Sequence, residues 1–589
     1  MCAIAGIVNF SVDAEPPVNG VRAMLRRMKH RGPDGSAVNR QVSCVLGANR
    51  LAQLDTAGGG QPMTSPDGRW MLVFNGEIHN YRGLRECLAD EWEFVTKSDT
   101  EVLLAALVTW GKSALTRLNG MFAFFLWDTL TCCGFAARDR LGVKPLVWTR
   151  MGNGLAFASE AKALLEVMPG RPAVNVGAVL EYFAAPCFSG VAAPMFADMH
   201  TLPPGHWLTV DASGIHTEEW WRYDFSLSGA EDETRLLGEM RALLPQAVRR
   251  TLDTEEPAAV FLSGGLDSTL VAACGKPHGV SCGYTIAFEG QAEFDYARGM
   301  MVKSDDLPFA GEAAWDLGME HRIVPVSRTS MAEDLRVIAI QNDALPAWEQ
   351  ELAQHHLARA ASADYRAVLV GDAADETHFG YPFLLVETTL RHPRDFLRAF
   401  GEPPLARGME EEAGKLMDGY ADSMEAAGYA PDSRVGRLRG ISHLIMQRWL
   451  PRLLHNGDIH TMAHGVEARV PFADADLLAL AVQVHPELAL RGGIEKSLLR
   501  EAARGLMPEA ARKRRKSSLT KDDACAAIYQ MEAAKALEAS GKLLSTWLDV
   551  GSLRRLCDSR HVPLETERAL LFRVICCHHW ATAYNITLP

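Results

Sequence analysis

Apolar and polar residues follow two rhythms along this chain. Residues 3–10 alternate small and apolar side chains, as a strand buried in a sandwich does; residues 47–51 and 73–81 read as further strands, the latter running into an Asn-Gly turn, and residues 98–101 open a helix. After about Asp232 helical periodicity takes over. It is interrupted by short apolar runs at 258–262 and 368–371 that read as buried parallel strands, each feeding a glycine-containing polar loop. The polar, acidic stretch 226–234 reads as linker. The pattern predicts a first domain over 2–212, a connection over 213–234 and a second domain over 235–589.

The first of these loops carries the sharpest chemical signal. In Phe261-Leu262-Ser263-Gly264-Gly265-Leu266-Asp267-Ser268 the glycines let the backbone approach an anion. Ser263, Ser268 and the first N–H groups of the following helix, read over 269–274, point at the same spot. This is a phosphate cradle without the lysine of the familiar nucleotide loop; Asp267 stands there instead, suited to Mg²⁺ on a polyphosphate. A serine-glycine turn with an N-cap is the alternative reading of such a stretch taken alone. The second run leads through Val370, Gly371 and Asp372 to Asp375 and Glu376, just beyond the C-terminal edge of a parallel sheet, where such sheets bind ligands.

A different chemistry is suggested at the other end. Cys2 becomes the first residue once the initiator methionine is removed, and an α-amino group of pKa about 7.7–8.0 can then serve as base for its own thiol. Arg50 ends a strand on a guanidinium fork suited to a carboxylate. Asn75 offers a side-chain amide and Gly76 a backbone N–H, together an oxyanion hole, although Asn-Gly is also a common hairpin turn. Asp99 opens its helix beside a Ser98 cap.

Composition narrows the partners. The 589 residues exceed the roughly 250–300 that one core holds. A formal charge of −13 argues against a nucleic-acid or anionic-membrane partner. There is no apolar run of the roughly 18–20 residues that span a bilayer and no signal-peptide pattern, so a cytoplasmic enzyme is expected. The 12 cysteines include no CxxC pair and read as reduced thiols. Cys576-Cys577-His578-His579 looks metal-like, but successive helical side chains diverge, so packing is the expected role.

Cys2, Arg50, Asn75-Gly76 and Asp99, in this order, resemble the glutaminase domain of class II glutamine amidotransferases. The resemblance implies that Cys2 is the nucleophile, Arg50 holds the substrate α-carboxylate, Asn75 and Gly76 form the oxyanion hole and Asp99 holds the α-amino group, with Glu77 among the glutamine contacts. Residues 118–124, 137–146 and 157–164 resemble that domain as it occurs in asparagine synthetases, and are assigned to architecture; residues 202–206 fit its closing turn. In the second half the cradle resembles the pyrophosphate loop of adenylating synthetases, and residues 462–472 and Gly493-Ile494-Glu495-Lys496 resemble asparagine synthetases.

The implied fold is an α-β-β-α sandwich of the N-terminal-nucleophile type followed by a parallel-sheet α/β domain of the ATP-pyrophosphatase kind. By the same resemblance Leu262, Ile286, Val370 and Gly371 contact the nucleotide, and Ser263, Gly264, Gly265, Asp267 and Ser268 hold its phosphates. Asp267 and Asp375 share Mg²⁺, Asp372 stands in place of a more usual glutamate as a general base, and Lys516, in the basic run 512–516, neutralises pyrophosphate. Glutamine would be hydrolysed at one site, and its ammonia would displace AMP from an acyl-adenylate made from ATP and a carboxylate at the other. The expected partners are these small molecules, with no nucleic acid or membrane, and the family leaves room for a homodimer.

Three rival readings are weighed. A non-catalytic binding protein would have lost the nucleophile or the metal carboxylates, and both are present; a cyclase using an internal amine commonly lacks Cys2. A plain asparagine synthetase would act on aspartate. Counting back from Asp375 without gaps, however, Trp348-Glu349-Gln350-Glu351-Leu352 occupies the place of an Arg-Ala-Ser-Thr-Pro stretch used for aspartate. The expectation is an acceptor other than aspartate, with an apolar or cationic part, contacted by Trp348, Glu349, Glu351 and Glu376, unless a local gap lets Arg359 clamp a carboxylate.

Overall fold

The structure is a computed structural model that describes residues 2–9, 16–190, 193–225, 232–296, 302–386, 392–398, 401–428, 432–519 and 525–588. Met1, Phe10 at the expected end of the first strand, and residues 226–231 of the expected linker lie outside these. Cys2–Asn9 is an inner strand of a six-stranded antiparallel sheet, flanked by Cys44–Arg50 on one side and Gly154–Ala158 on the other. Its alternation explains the sandwich. Ala3, Ala5 and Ile7 pack with Val21, Met24 and Leu25 of the helix Val18–Arg27, whereas Ile4 and Val8 face Met71, Val73 and Phe125 of a second six-stranded sheet. That second sheet buries Leu72, Phe74, Phe122 and Phe124 on its outer face against Val102, Leu103 and Ala106 of the helix Asp99–Trp110. The layers are therefore α-β-β-α, as expected.

Two expectations about this half are corrected. Asn75 and Gly76 do not form a turn; they lie inside the strand Trp70–Ile78, paired with Ala123 and Phe122 of Gly120–Asp128. A Cβ on Gly76 would meet the Met121 carbonyl oxygen at 2.0 Å, so glycine is needed here for close strand approach rather than for a turn. The first domain also does not stop at 212. Gly214–Glu219 pairs with His206–Asp211 and extends the second sheet into the expected connection. Its mostly exposed, polar sequence is that of an edge strand and lacks the apolar alternation that marks a half-buried one.

The second half is built on a five-stranded parallel sheet ordered Glu320–Val326, Cys282–Phe288, Ala258–Phe261, Ala367–Leu369, Glu467–Arg469. Ala258–Phe261 and Ala367–Leu369 are neighbours, so the cradle and the acidic loop emerge side by side. The cradle helix is Leu266–Gly275, beginning three residues before the expected start because Gly265 serves as its N-cap. Cys576 and Cys577 are buried within Glu565–Ala583 and His578 bonds Ser540, in line with the packing role expected for them.

The two halves meet through buried charge. Arg31 is fully enclosed and binds Glu160 at 3.1 Å and Asp458 at 2.7 Å; Lys144 lies 3.5 Å from Asp458 and 3.6 Å from Glu467; Arg469 donates to Glu77 at 2.8 Å. Arg138 ties its own loop together through the carbonyls of Gly142, Lys144 and Leu202, the architectural role expected for that motif. Replacing Arg31 with alanine leaves two buried carboxylates short of a cation. Since Lys144, His30 and Lys162 still stand nearby, a loss of about 3 kcal/mol is expected, at the low end for a broken buried pair, and is measured as a fall in the thermal midpoint.

Candidate active sites

Cys2 lies in a cleft lined also by Arg50, Gln61, Gly76, Glu77 and Asp99, so the predicted glutaminase residues converge. Burial pushes the Cys2 thiol above its ordinary value, so it stays protonated without a base. Asn75 Oδ1 accepts from the Cys2 backbone N–H at 3.2 Å, which leaves the Asn75 side-chain N–H₂ buried without a partner. A buried, unspent donor beside a nucleophile is what an oxyanion hole requires. Gln61 was not anticipated: its amide nitrogen is 3.6 Å from the Cys2 sulfur, while its oxygen accepts from Phe74 N–H at 2.7 Å. Arg50 donates to the carbonyls of Leu54, Asp55 and Thr56, fastening a loop over the cleft. Asp99 accepts from Ile78 N–H at 3.0 Å, and burial pushes its carboxyl up to about 6 against that bond. Arg250, Asp253 and Thr254 of the second half complete the lining.

The cradle is closed by its own serines. Ser268 Oγ accepts from Ser263 N–H at 3.1 Å, and Ser263 Oγ accepts from Gly265 N–H at 3.3 Å. Gly264 has φ +68°, and a Cβ there would strike the Phe309 carbonyl carbon at 2.3 Å. A Cβ on Gly371 would come within 2.9 Å of Asp267 Cβ and 3.0 Å of Ser268 N, so the acidic loop is seated on the cradle only because 371 is glycine. Leu262 and Ile286 are buried in and beside the neighbouring strands and do not line the main cavity, whereas Ser263, Asp267, Ser268, Val370 and Gly371 do.

Asp267 and Asp375 face one another across Lys496, whose Nζ is 2.5 Å from a carboxylate oxygen of each. Lys516 Nζ is 2.5 Å from the other Asp375 oxygen. Burial alone would raise the Asp375 pKa, but the two lysines hold it well below the usual carboxylate range. Lys516 is in turn held above its ordinary value by Asp375 and Asp267 despite its burial. The rest of the basic run is spent locally, Arg512 on Glu509, Arg514 on Asp306 and Arg515 on Glu495, so it forms no common basic face. Lys496 is the residue sequence reasoning passed over; it stood inside a noted motif, but nothing in its spacing says that it bridges two distant aspartates. Asp372 lines the same cavity, and burial pushes it up to about 6 in spite of Lys516.

The acceptor stretch divides. Trp348 and Glu351 line the cavity, but Glu349 does not: it faces a separate small pocket with Arg568 and Phe572, because the helix Gln350–Ala361 begins beyond it and turns it away. Glu351 is committed to Asn342 Nδ2 at 2.6 Å and Ala347 N–H at 2.7 Å, with His460 at 3.2 Å and Arg452 at 3.6 Å. Glu376 accepts from the Tyr381 hydroxyl. Arg359 pairs with Asp334 and is half exposed away from the cavity, so it is no replacement clamp.

With this geometry in view, the comparisons are decisive for kinship. A model for a glutamine amidotransferase domain matches residues 1–221, and one for asparagine synthase matches residues 239–581, more than half of the chain. The chain belongs to the asparagine synthetase family. Its two matched parts carry glutamine-dependent, ATP-driven amide formation, a carbon–nitrogen ligation with glutamine as nitrogen donor. Among the relatives is asparagine synthetase [glutamine-hydrolyzing] 3 of Bacillus subtilis (strain 168), 29% identical, covering 88% of this chain and 87% of the relative. Asparagine synthetase B [glutamine-hydrolyzing] of Escherichia coli (strain K12) is 26% identical over 93% and 87%. Amidase chry2 of Gibberella zeae is 26% identical over 86% of each. No helix among the described residues is long and apolar enough to cross a membrane.

Proposed function

We propose that this asparagine synthetase-family enzyme amidates a carboxylate other than aspartate. Cys2 attacks the side-chain amide carbon of glutamine, its proton passing to the α-amino group freed by methionine removal. Asn75 Nδ2 and Gly76 N–H stabilise the oxyanion, ammonia leaves, and water then hydrolyses the glutamyl thioester to release glutamate and the Cys2 thiol. Arg50 and Asp99 hold the α-carboxylate and α-ammonium of glutamine, beside Glu77. At the second site the cradle holds the phosphates of ATP, the acceptor carboxylate displaces pyrophosphate, Lys516 and Lys496 balance the charge that leaves, and ammonia then displaces AMP. Asp372 takes the proton that the incoming ammonia loses.

Asp267 and Asp375 fit Mg²⁺: both offer hard oxygen donors from facing loops, and Asp267 Oδ1 is buried with no hydrogen-bond partner. When bound, the ion would neutralise polyphosphate charge; two protein carboxylates suit an ion that keeps phosphate and water among its ligands.

The acceptor reading is supported chiefly by the charge of the second cavity. Its described lining holds six carboxylates, Asp267, Glu351, Asp372, Asp375, Glu376 and Glu565, against one cation, Lys516, which is already committed to Asp375. A second carboxylate on the acceptor would find no guanidinium to meet it. The name of the Gibberella zeae relative, Amidase chry2, is compatible with acceptors beyond aspartate. The deciding assay is asparagine formation from aspartate: a kcat/KM of about 10⁴ M⁻¹s⁻¹ or more contradicts the proposal, and a value far below that supports it.

A pH prediction follows for the glutamine site. Asp99 is pushed up to about 6 by burial, so it is anionic above that pH and neutral below it. Protonation removes its attraction for the α-ammonium. The kcat/KM for glutamine should therefore fall as pH drops through about 6, and Asp99→Asn should remove that limb of the profile along with most of the activity.

A further inference from the structure

Resting on the proposal of a non-aspartate acceptor, we infer that the acceptor is a monocarboxylic acid with an uncharged, ring-sized apolar body that lies against the Tyr381–Phe383–Trp449 wall. The second cavity has a volume of about 450 Å³ and a lining of two unlike kinds. Ser263, Asp267, Asp372, Asp375 and Lys516 supply polar and charged groups; Trp348, Leu357, Tyr381, Phe383, Trp449 and Leu453 supply apolar surface. An apolar cavity of about 150 Å³ suffices for a benzene ring, so the space admits such a ring together with the phosphate end of ATP.

The aromatic wall is mutually stacked and joined to the acidic loop. Tyr381 and Phe383 stack at 5.0 Å and 10°, Tyr381 and Trp449 at 4.9 Å and 25°, and Phe383 and Trp449 at 5.8 Å and 17°. Phe396 buttresses them, 5.0 Å from Phe383 and 6.0 Å from Trp449. The Tyr381 hydroxyl donates to Glu376, the residue next to Asp375, so the apolar surface begins where the acidic loop ends. An acyl carbon placed at that loop therefore directs the body of the acceptor along the wall, where its burial supplies affinity without charge.

Among the described lining residues, the carboxylates that could hold a cationic tail are already engaged. Glu351 pairs with Arg452 at 3.6 Å, and its oxygens accept from Asn342 Nδ2 and Ala347 N–H, so it attracts no ammonium. Glu376 is taken by Tyr381, and Glu565 sits in the first turn of its own helix, where the helix dipole favours a carboxylate. Lys516 is the only described lining cation, which disfavours an anionic tail equally.

The test is acceptor-dependent AMP release by the full-length enzyme with MgATP and ammonium chloride, so that the glutaminase is not required. The panel is aspartate, glutamate, lysine, acetate, hexanoate, 3-phenylpropanoate and cinnamate. The two aryl acids are expected to exceed aspartate in kcat/KM by about a hundredfold or more. Trp449→Ala, checked for parental circular dichroism, should raise the KM of the aryl acid by about tenfold, and Trp449→Phe should restore most of it. If lysine, acetate or hexanoate is the best substrate, the inference falls while the non-aspartate reading stands. If aspartate is best, both fall. Failure of the aryl acids to release AMP, or an aryl KM unmoved by Trp449→Ala, also overturns the inference.

Discussion

Cys2→Ala is expected to abolish amide formation from glutamine and to leave ammonia-dependent synthesis within about twofold of the parent. The asymmetry follows from where the residue sits. Cys2 Sγ lies at the sandwich cleft with Gln61, Gly76 and Asp99, while the cradle and the acidic loop stand at the C-terminal edge of the parallel sheet, served by different side chains. The substitution removes a buried thiol and keeps the backbone N–H that Asn75 accepts, so the fold of the cleft should persist. Glutamate release and amide yield, assayed with glutamine and then with ammonium chloride, separate the two functions. Product from glutamine in the variant would refute the assignment. Retention of Met1 should be equally inactivating, because the α-amino base would then be an amide.

The second large effect is expected at Asp375. Asp375→Asn should lower ATP–pyrophosphate exchange by about 10²–10³-fold while glutamine hydrolysis continues. Two losses would act together: a hard oxygen proposed to hold Mg²⁺ disappears, and Lys496 and Lys516 lose the anion that each meets at 2.5 Å. Lys496 then retains Asp267 alone. Exchange measured with radiolabelled pyrophosphate reads the first half-reaction directly, and an unaltered exchange rate would remove Asp375 from the site.

Much of this was legible because the strongest signals are local. The cradle needs glycines beside serines within eight residues, and the parallel strands are short apolar runs ending on those loops; both are visible without a fold. The errors arise where pairing over distance decides. Asn75-Gly76 has the composition of a hairpin turn, yet Gly120–Asp128 runs alongside and makes it strand. Gly214–Glu219 is polar enough to pass for linker, yet it completes a sheet edge. Glu349 and Glu351 are two residues apart and equally acidic, but the start of one helix separates them, the first to a small side pocket and the second into a saturated buried network. Lys496 and the Arg31–Glu160–Asp458 cluster are assembled from positions hundreds of residues apart, where no spacing rule reaches.

In the proposed reaction one chain moves the amide nitrogen of glutamine onto an activated carboxylate that is not aspartate. The most direct measurement supplies glutamine carrying heavy nitrogen on its side-chain amide, with MgATP and either 3-phenylpropanoate or aspartate, and follows product, glutamate and nucleotide by mass spectrometry. Heavy-nitrogen 3-phenylpropanamide is expected to form in step with AMP and pyrophosphate, with little asparagine. Heavy asparagine as the dominant product, or ADP and phosphate in place of AMP and pyrophosphate, would contradict it.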